Sequence, residues 1–240
     1  MATLARPRSP ARRRSWLRRI LGWILRIVLG FILLSLLMTV IYRFVPPPIT
    51  LTQLNEILHG HSVDKDWTPL SRMDPDMARA AIAAEDGNFC AHHGFDFKAM
   101  QQAFNNNEAG KKLRGGSTIS QQTAKNVFLW QGRSYVRKGL EAWFTVLIEH
   151  IWGKRRIMEV YLNVAETGIH TYGANAGAQR YFRHDAGRLS PVEAARIAAV
   201  LPLPSERAAV DPHGRVLRYG NRILRRIGIV QRGGYDRCVR

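Results

Sequence analysis

The chain has 240 residues, 46% hydrophobic and 22% charged, which excludes a wholly disordered polymer and fits one ordinary domain plus a short extra segment. Two cysteines, Cys90 and Cys238, exclude a disulfide-rich scaffold and a multi-cysteine zinc module. The formal charge is +18, half of it in residues 1–45, which hold nine arginines and no acid; such an excess speaks of topology and anionic partners, not of fold.

Residues 1–19 form a basic tail with seven arginines. From Ile20 to Tyr42 the chain is apolar apart from Arg26, and a helix of that length reaches roughly 34 Å, enough to cross a hydrocarbon core of about 30 Å. The positive-inside rule predicts one transmembrane helix over 20–42, with the N-terminus in the cytoplasm and the rest of the chain on the far side. The run is longer than a signal-peptide core and no small-x-small cleavage pattern follows it, so it reads as an uncleaved anchor. Residues 43–64 include Pro46-Pro47-Pro48 and read as a stiff linker to a domain over 65–240.

That domain reads as helical. Asp74-Pro75 is an N-cap with proline at the first helical position, opening a helix through about Glu85. Thr118 and Gln121 have capping-box spacing, as do Ser190 and Glu193 around Pro191. Apolar residues recur at helical spacing over 135–152 and 157–164, and 214–230 is a last amphipathic helix. Asn105-Asn106-Asn107 through Gly115-Gly116 reads as a polar, flexible stretch between helices. No series of alternating strands is present. The class is all-α.

Three constellations carry chemistry. The first is Glu85-Asp86-Gly87-Asn88-Phe89-Cys90-Ala91-His92-His93-Gly94, directly after a helix. A carboxylate at a helix C-terminus meets a dipole that disfavours its charge and raises its pKa, which suits a general base; a plain polar helix end is the alternative. His92 and His93 are adjacent and lack a third ligand nearby, so no metal set is legible. The second is Gly115-Gly116-Ser117-Thr118-Ile119-Ser120-Gln121-Gln122-Thr123-Ala124-Lys125-Asn126. Glycines leading into a helix suit an anion, and Thr118, Gln121, Gln122 and Lys125 share a face on which amide and ammonium groups can hold a phosphate or pyrophosphate. The Gly-Lys-Ser/Thr order of a nucleotide P-loop is missing. The third is Arg133, Arg137, Lys138 and Glu141, which sets one carboxylate among cations; a surface ion-pair ladder is the alternative. After Asn126 come Val127-Phe128-Leu129-Trp130, and Phe128, Leu129 and Trp130 are expected to dip into the outer leaflet; packing against the domain is the alternative.

Taken together, Glu-Asp-x-x-Phe-x-x-His-x-Gly at 85–94, Gly-Gly-Ser-Thr-Ile-x-Gln-Gln-x-x-Lys-Asn at 115–126, Arg-Lys-x-x-Glu at 137–141 and Lys-x-x-Ile-x-x-x-Tyr-Leu-Asn at 154–163 resemble the peptidoglycan glycosyltransferase family, in its monofunctional form without a transpeptidase domain. The resemblance covers about residues 65–205 and includes Tyr172-Gly173-Ala174 and Tyr181-Phe182. It implies a lysozyme-like, two-lobed, all-α fold behind one transmembrane helix. It implies Glu85 as catalytic base, Glu141 as second essential carboxylate, and Ser117, Gln121, Gln122, Lys125, Arg133 and Arg137 along the groove for a lipid-linked pyrophosphate. Some relatives carry a basic residue just before the second glutamate, where this chain has Leu140.

The implied reaction extends β-1,4 glycan chains from lipid II in the inner membrane, with the catalytic domain in the periplasm. A divalent cation, Mg²⁺ or Mn²⁺, belongs to the same expectation, with its ligands unknown, as do other cell-wall synthases as partners. No organic cofactor and no nucleic acid are expected. The alternative is an anchored lytic glycosidase acting on finished peptidoglycan, for which the cations after Gly115 have no use. Cys90 occupies a variable position of the first motif and is expected to be a passive thiol.

Overall fold

The structure is a computed structural model that describes residues 10–108, 116–132, 134–204 and 209–240. Gly115 and Arg133, both singled out above, lie outside the described residues. A long helix α1 (Pro10–Phe44) opens the chain, and a short one, α2 (Leu51–Leu58), follows the three prolines. Then come β1 (Asp64–Lys65), α3 (Pro75–Glu85), α4 (Phe97–Glu108), α5 (Ile119–Phe128), α6 (Tyr135–Ile151) and α7 (Lys154–Val164). After them lie β2 (Glu166–Gly168), β3 (Thr171–Tyr172), α8 (Ala174–Phe182), α9 (Pro191–Val200) and α10 (Gly214–Arg232). The class is all-α as expected: the described strands make one small sheet in the order β1-β3-β2, with β1 parallel and β2 antiparallel to β3.

The capping chemistry sets the helix starts. Asp74 accepts the Asp76 backbone N–H at 2.8 Å, with Pro75 at the first helical position. The boxes Thr118/Gln121 and Ser190/Glu193 both form. A third box, Thr50/Gln53, starts α2 inside the segment read as a linker. There the prolines masked a short amphipathic helix whose apolar side needs the rest of the fold to pack on. The polar stretch at 105–107 is likewise not a loop: α4 runs through it to Glu108. Asparagine is a weak helix former but costs only a fraction of a kcal/mol per residue, so three of them do not stop a helix that has already started.

The core centres on α3, α9 and α10. Ala78, Ala80, Ala81 and Ala83 on α3 and Ala194, Ala195, Ala198 and Ala199 on α9 are all buried. These short side chains let the helices approach closely, and Met77, Ile82, Ile197 and Ile223 fill the spaces between them. On α10, Ile223, Ile227 and Val230 face inward, and arginines line much of the rest of the helix.

The helix α1 does more than tether. Its segment Trp16–Phe44 is long and apolar enough to cross a membrane. The whole helix, at 35 residues, extends about 52 Å, well beyond a hydrocarbon core of about 30 Å. It starts before Ile20 because arginine is a good helix former. Its C-terminal third docks on α6: Trp143 Nε1 donates to Ser35 Oγ at 3.1 Å, and Trp152 Nε1 to the Thr39 carbonyl at 2.7 Å. Arg156 Nη2 donates to the Tyr42 carbonyl at 2.9 Å.

Two expectations need correction. Cys90 is not a passive thiol: it is disulfide-bonded to Cys238, with Cα atoms 5.5 Å apart. The partner lies 148 residues away and reaches Cys90 because the C-terminal turn is held on α3 by Arg79 Nε, which donates to Asp236 Oδ2 at 2.8 Å. Phe128 and Leu129 do not dip outward. The helix ends at Phe128 and Leu129 is extended, at φ −126 and ψ 165, so its side chain turns back into the core and is 2% exposed. Phe128 stacks on Phe144 with ring centroids 4.3 Å apart. Trp130, 46% exposed, does project outward.

Candidate active site

The groove is built where α3 ends and α5 begins. Glu85 is the last residue of α3, and its neighbour Asp86 is the clamp between the two helices. Asp86 Oδ2 accepts the backbone N–H of Ile119, the first residue of α5, at 2.9 Å, and lies 2.9 Å from His92 Nε2. A buried carboxylate at the positive end of a helix is favourably placed, and this one also joins that helix end to the residue after Glu85. From the other side, Tyr219 Oη donates to the Ala84 carbonyl at 3.0 Å and Arg226 Nη1 to the Ala83 carbonyl at 3.1 Å. The open carbonyls at the end of α3 are thus occupied by α10, and the backbone that carries Glu85 is held at both edges.

The loop from Gly87 to Gly94 is equally committed. Thr118, the N-cap of α5, donates its hydroxyl to the Gly94 carbonyl at 2.6 Å. Gly94 has φ +91, and a Cβ there would stand 2.9 Å from Thr145 Cγ2, so only glycine passes. Asn88 Nδ2 donates to Asp96 Oδ2 at 2.8 Å. His92 is thus a structural partner of Asp86.

Along α5 the side chains divide by task. Gln122 Nε2 donates to Glu85 Oε2 at 3.0 Å, so this residue of the second motif touches the candidate base. Gln121 does not line the groove: its side-chain oxygen accepts the Thr118 N–H at 3.0 Å to complete the capping box, and the residue is buried. Helical spacing alone put Gln121 and Gln122 on one face, but the box turns Gln121 back on its own helix. Ile119, Thr123 and Val127, at spacings of four, are buried on another face of the helix. Lys125, one turn beyond Gln122, stands in electrostatic range of both Glu85 and Glu141. Burial pushes its ammonium below the ordinary lysine range; Glu141 opposes that, and Arg137 and Lys138 add to it.

Glu141 is buried on α6 and its two oxygens are both taken. Arg137 Nη1 donates to Oε2 at 3.2 Å, and Lys138 Nζ pairs with Oε1. Lys138 also comes within 3.5 Å of Ser117 Oγ, so Ser117 joins the cationic side of the groove. Lys138 was legible in the sequence three residues before Glu141, as part of the cationic set, and the structure makes it a groove residue in its own right. Among the described residues, Lys125, Arg137 and Lys138 set three positive charges about Glu141, while Gln122 holds Glu85, within electrostatic range of Lys125. The arrangement can do two things at once: accept a proton at Glu85 and neutralise an anion beside Glu141.

The fourth motif is structural. Asn163 Oδ1 accepts the Thr68 N–H at 2.8 Å and its Nδ2 donates to the Thr68 carbonyl at 2.9 Å. Tyr161 is fully buried, and that burial pushes its phenol well above the usual range.

Comparison with known proteins places the chain among its relatives. The family model described as Transglycosylase matches residues 51–228. A biosynthetic peptidoglycan transglycosylase of Caulobacter vibrioides is 54% identical over 200 residues, covering 83% of this chain and 87% of that protein. One of Xanthomonas campestris pv. campestris is 47% identical over 208 residues, covering 84% and 85%. One of Rhodospirillum centenum is 44% identical over 226 residues, covering 94% and 98%. With the family model matching residues 51–228 and identity of this level over 83–94% of its length, the chain belongs to the transglycosylase family.

Proposed function

We propose that this protein polymerises lipid II into the β-1,4-linked glycan chains of peptidoglycan. The observation that carries the reading is the division of charge in the groove: a carboxylate, Glu85, held by Gln122, facing a cluster of three cations around buried Glu141. A glycosyl transfer from a polyprenyl pyrophosphate needs those two functions. Glu85 takes the proton from the 4-hydroxyl of the acceptor N-acetylglucosamine. The freed oxygen attacks the anomeric carbon of the growing chain from the face opposite its leaving group, so configuration inverts. The bond to the pyrophosphate breaks as the new glycosidic bond forms, and Lys125, Arg137 and Lys138, with Arg133, stabilise the charge that leaves. Glu141 keeps Arg137 and Lys138 aimed into the groove. Hydrolysis of uncharged sugar links in finished peptidoglycan would leave this cationic side without a task.

A divalent cation, Mg²⁺ or Mn²⁺, fits this groove only together with substrate. Both oxygens of Glu141 are engaged by cations, and among the described residues no three carboxylate or imidazole ligands converge there. Such an ion would be held chiefly by pyrophosphate oxygens, and no step above depends on it.

The substrate's polyprenyl tail stays in the bilayer, and an apolar pocket of about 250 Å³ between α1, α2, α5 and α6 suits its first units. Phe31, Met38, Leu51, Leu54, Phe128 and Phe144 line it, three residues along α5 from Lys125. We read α1 as crossing the inner membrane once, with the arginine-rich start in the cytoplasm and the catalytic domain in the periplasm. The Cys90–Cys238 disulfide supports that side, because such bonds persist in oxidising compartments.

The test is incubation of the purified full-length protein with labelled lipid II, followed by separation of glycan products. Long chains sensitive to a β-1,4-cleaving muramidase are expected. Soluble fragments released from finished peptidoglycan, with no polymer from lipid II, would replace this reading by the lytic one.

A further inference from the structure

Three titratable side chains meet outside the groove, where the proposed reaction leaves them without a task. Glu56 lies in the last turn of α2, His61 in the loop toward β1, and His170 at the turn between β2 and β3. Both imidazoles converge on a single carboxylate oxygen: His61 Nδ1 is 2.8 Å and His170 Nδ1 2.9 Å from Glu56 Oε2. The two rings lie nearly face to face, with centroids 4.3 Å apart and planes 30° from parallel. One ligand atom from each of the three residues falls within 4.8 Å of the others. Among the described residues, no lysine or arginine forms an ion pair with Glu56.

The backbone delivers His170 to this point. Its φ is +55, in the left-handed region that a residue with a Cβ seldom adopts and keeps only where its surroundings over-determine it. Here they do. The His170 carbonyl accepts the Asp64 N–H at 2.9 Å, and its own N–H donates to the Glu166 carboxylate. Glu166 thus adds a second carboxylate close to the trio.

Two imidazole nitrogens and a carboxylate oxygen within 4.8 Å of one another are the donor set of a three-ligand transition-metal site. Zn²⁺ takes imidazole nitrogen and carboxylate oxygen at about 2.0–2.2 Å, so tetrahedral ligand atoms stand roughly 3.3 Å from one another; the two nitrogen–oxygen spacings here, 2.8 and 2.9 Å, are a few tenths of an ångström shorter, and the three side chains need to spread by that much to admit the ion. Imidazole favours Zn²⁺ and its transition-metal neighbours over Mg²⁺ and Ca²⁺, which seek oxygen. We propose that Glu56, His61 and His170 bind one divalent transition-metal ion of the Zn²⁺ class. His61 is exposed, which leaves the remaining coordination position open to water.

The consequence lies in what the ligands join. Glu56 belongs to α2, the element that follows the membrane helix, and His170 to the turn between β2 and β3. Gln131 Nε2 donates to Thr52 Oγ1 at 2.8 Å, so α2 also touches the loop after α5. A bound ion staples the membrane-proximal helix to the body of the domain, beside the pocket assigned to the lipid tail.

The test uses untagged full-length protein in detergent, titrated with Co²⁺ as a spectroscopic stand-in and then with Zn²⁺. One equivalent of Co²⁺ should bind with the visible absorption of a low-coordinate nitrogen–oxygen site, and Zn²⁺ should displace it. Glu56→Gln and His170→Ala should each weaken binding at least about tenfold, the least that losing even an outer-shell partner of a metal typically costs. His61→Asn does the same from an exposed loop, where the fold is not at stake. Zn²⁺ should raise the thermal midpoint of the parent and leave that of His61→Asn unmoved. A parent that takes up no Co²⁺, or variants that bind it as tightly as the parent, would overturn the proposal and leave the trio a hydrogen-bonded cluster.

Discussion

Asp86 Oδ2 and the backbone nitrogen of Ile119 stand 2.9 Å apart, joining the residue after the candidate base to the first residue of the helix that carries Gln122 and Lys125. The base and the cationic side of the groove are therefore positioned through one buried carboxylate. Asp86→Ala should lower stability by about 1.5–3 kcal/mol, the range for a lost charge-assisted bond, and reduce glycan synthesis in the fraction that remains folded. Asp86→Asn keeps an acceptor for Ile119 and should fall between the two. Thermal melts read alongside lipid II turnover check this; an Asp86→Ala protein with unchanged activity and stability would remove the clamp from the account.

Glu85 and Glu141 should separate by what their loss does to the fold. Glu85 is half-buried, with one amide donor to its Oε2, so Glu85→Gln should fold normally, bind lipid II, and lose about 10²–10⁴ in turnover as expected for a missing general base. Glu141 is buried between Arg137 and Lys138, and Glu141→Gln leaves the buried Arg137 guanidinium without its counter-charge. That variant should lose activity and also about 1–3 kcal/mol of stability. Equal melting temperatures for the two variants would contradict this division.

Lys125 supplies a pH signature. Burial holds its ammonium below the ordinary lysine range, so it surrenders its proton at a lower pH than a solvated lysine. The sign for activity follows: the charge that stabilises the leaving pyrophosphate is present at neutral pH and is lost as pH rises through the lowered value. The sign for stability is opposite. Carrying the charge costs the fold something below that value, and the cost is relieved as pH climbs toward the unfolded lysine value of about 10.4. The alkaline limb of kcat/KM should therefore lie below that value in the parent and move to higher pH in Lys125→Arg, whose guanidinium does not titrate. An unmoved limb in Lys125→Arg would assign it to another group.

The Cys90–Cys238 bond closes a loop of 148 residues. Loops of that length give a chain-entropy stabilisation of up to about 5 kcal/mol, and typical measured values are about 2–4. Reduction, or Cys238→Ser, should lower the thermal midpoint by several degrees and loosen the C-terminal turn from α3. Melts with and without reductant decide the point, and a coincident pair of curves would show that the bond carries no stability.

Trp130, in the loop after α5, and Tyr135 and Val136, in the first turn of α6 just before Arg137 and Lys138, are exposed. Aromatic and apolar side chains in such a place suit the headgroup region, where a Trp ring is buried and its N–H stays wet. Trp130→Ser combined with Val136→Ser should slow polymerisation of lipid II in vesicles several-fold and spare the rate on a short-tailed analogue in solution. A similar loss on both substrates would point to packing and not to membrane contact.

Much of this protein was written locally. Helix starts at Pro75, Ile119 and Pro191 follow from cap and proline chemistry that acts within four residues, and the charge asymmetry around the first apolar helix is a property of composition. Glu85, Lys125 and Glu141 could be singled out because motif order survives in one dimension. What proximity across the chain decides could not be read there. Gln121 and Gln122 are equivalent by spacing, and only the packing of α5 against Asp86 and Glu85 gives one to the cap and the other to the groove. Leu129 looked outward because a continued helix would point it there; the extended backbone after Phe128 returns it to the core. Cys90 meets Cys238, and His61 meets His170 over Glu56, through contacts between residues more than a hundred positions apart. No local propensity encodes such meetings, which arise only when burial of the alanine-lined core brings the chain ends and the small sheet together.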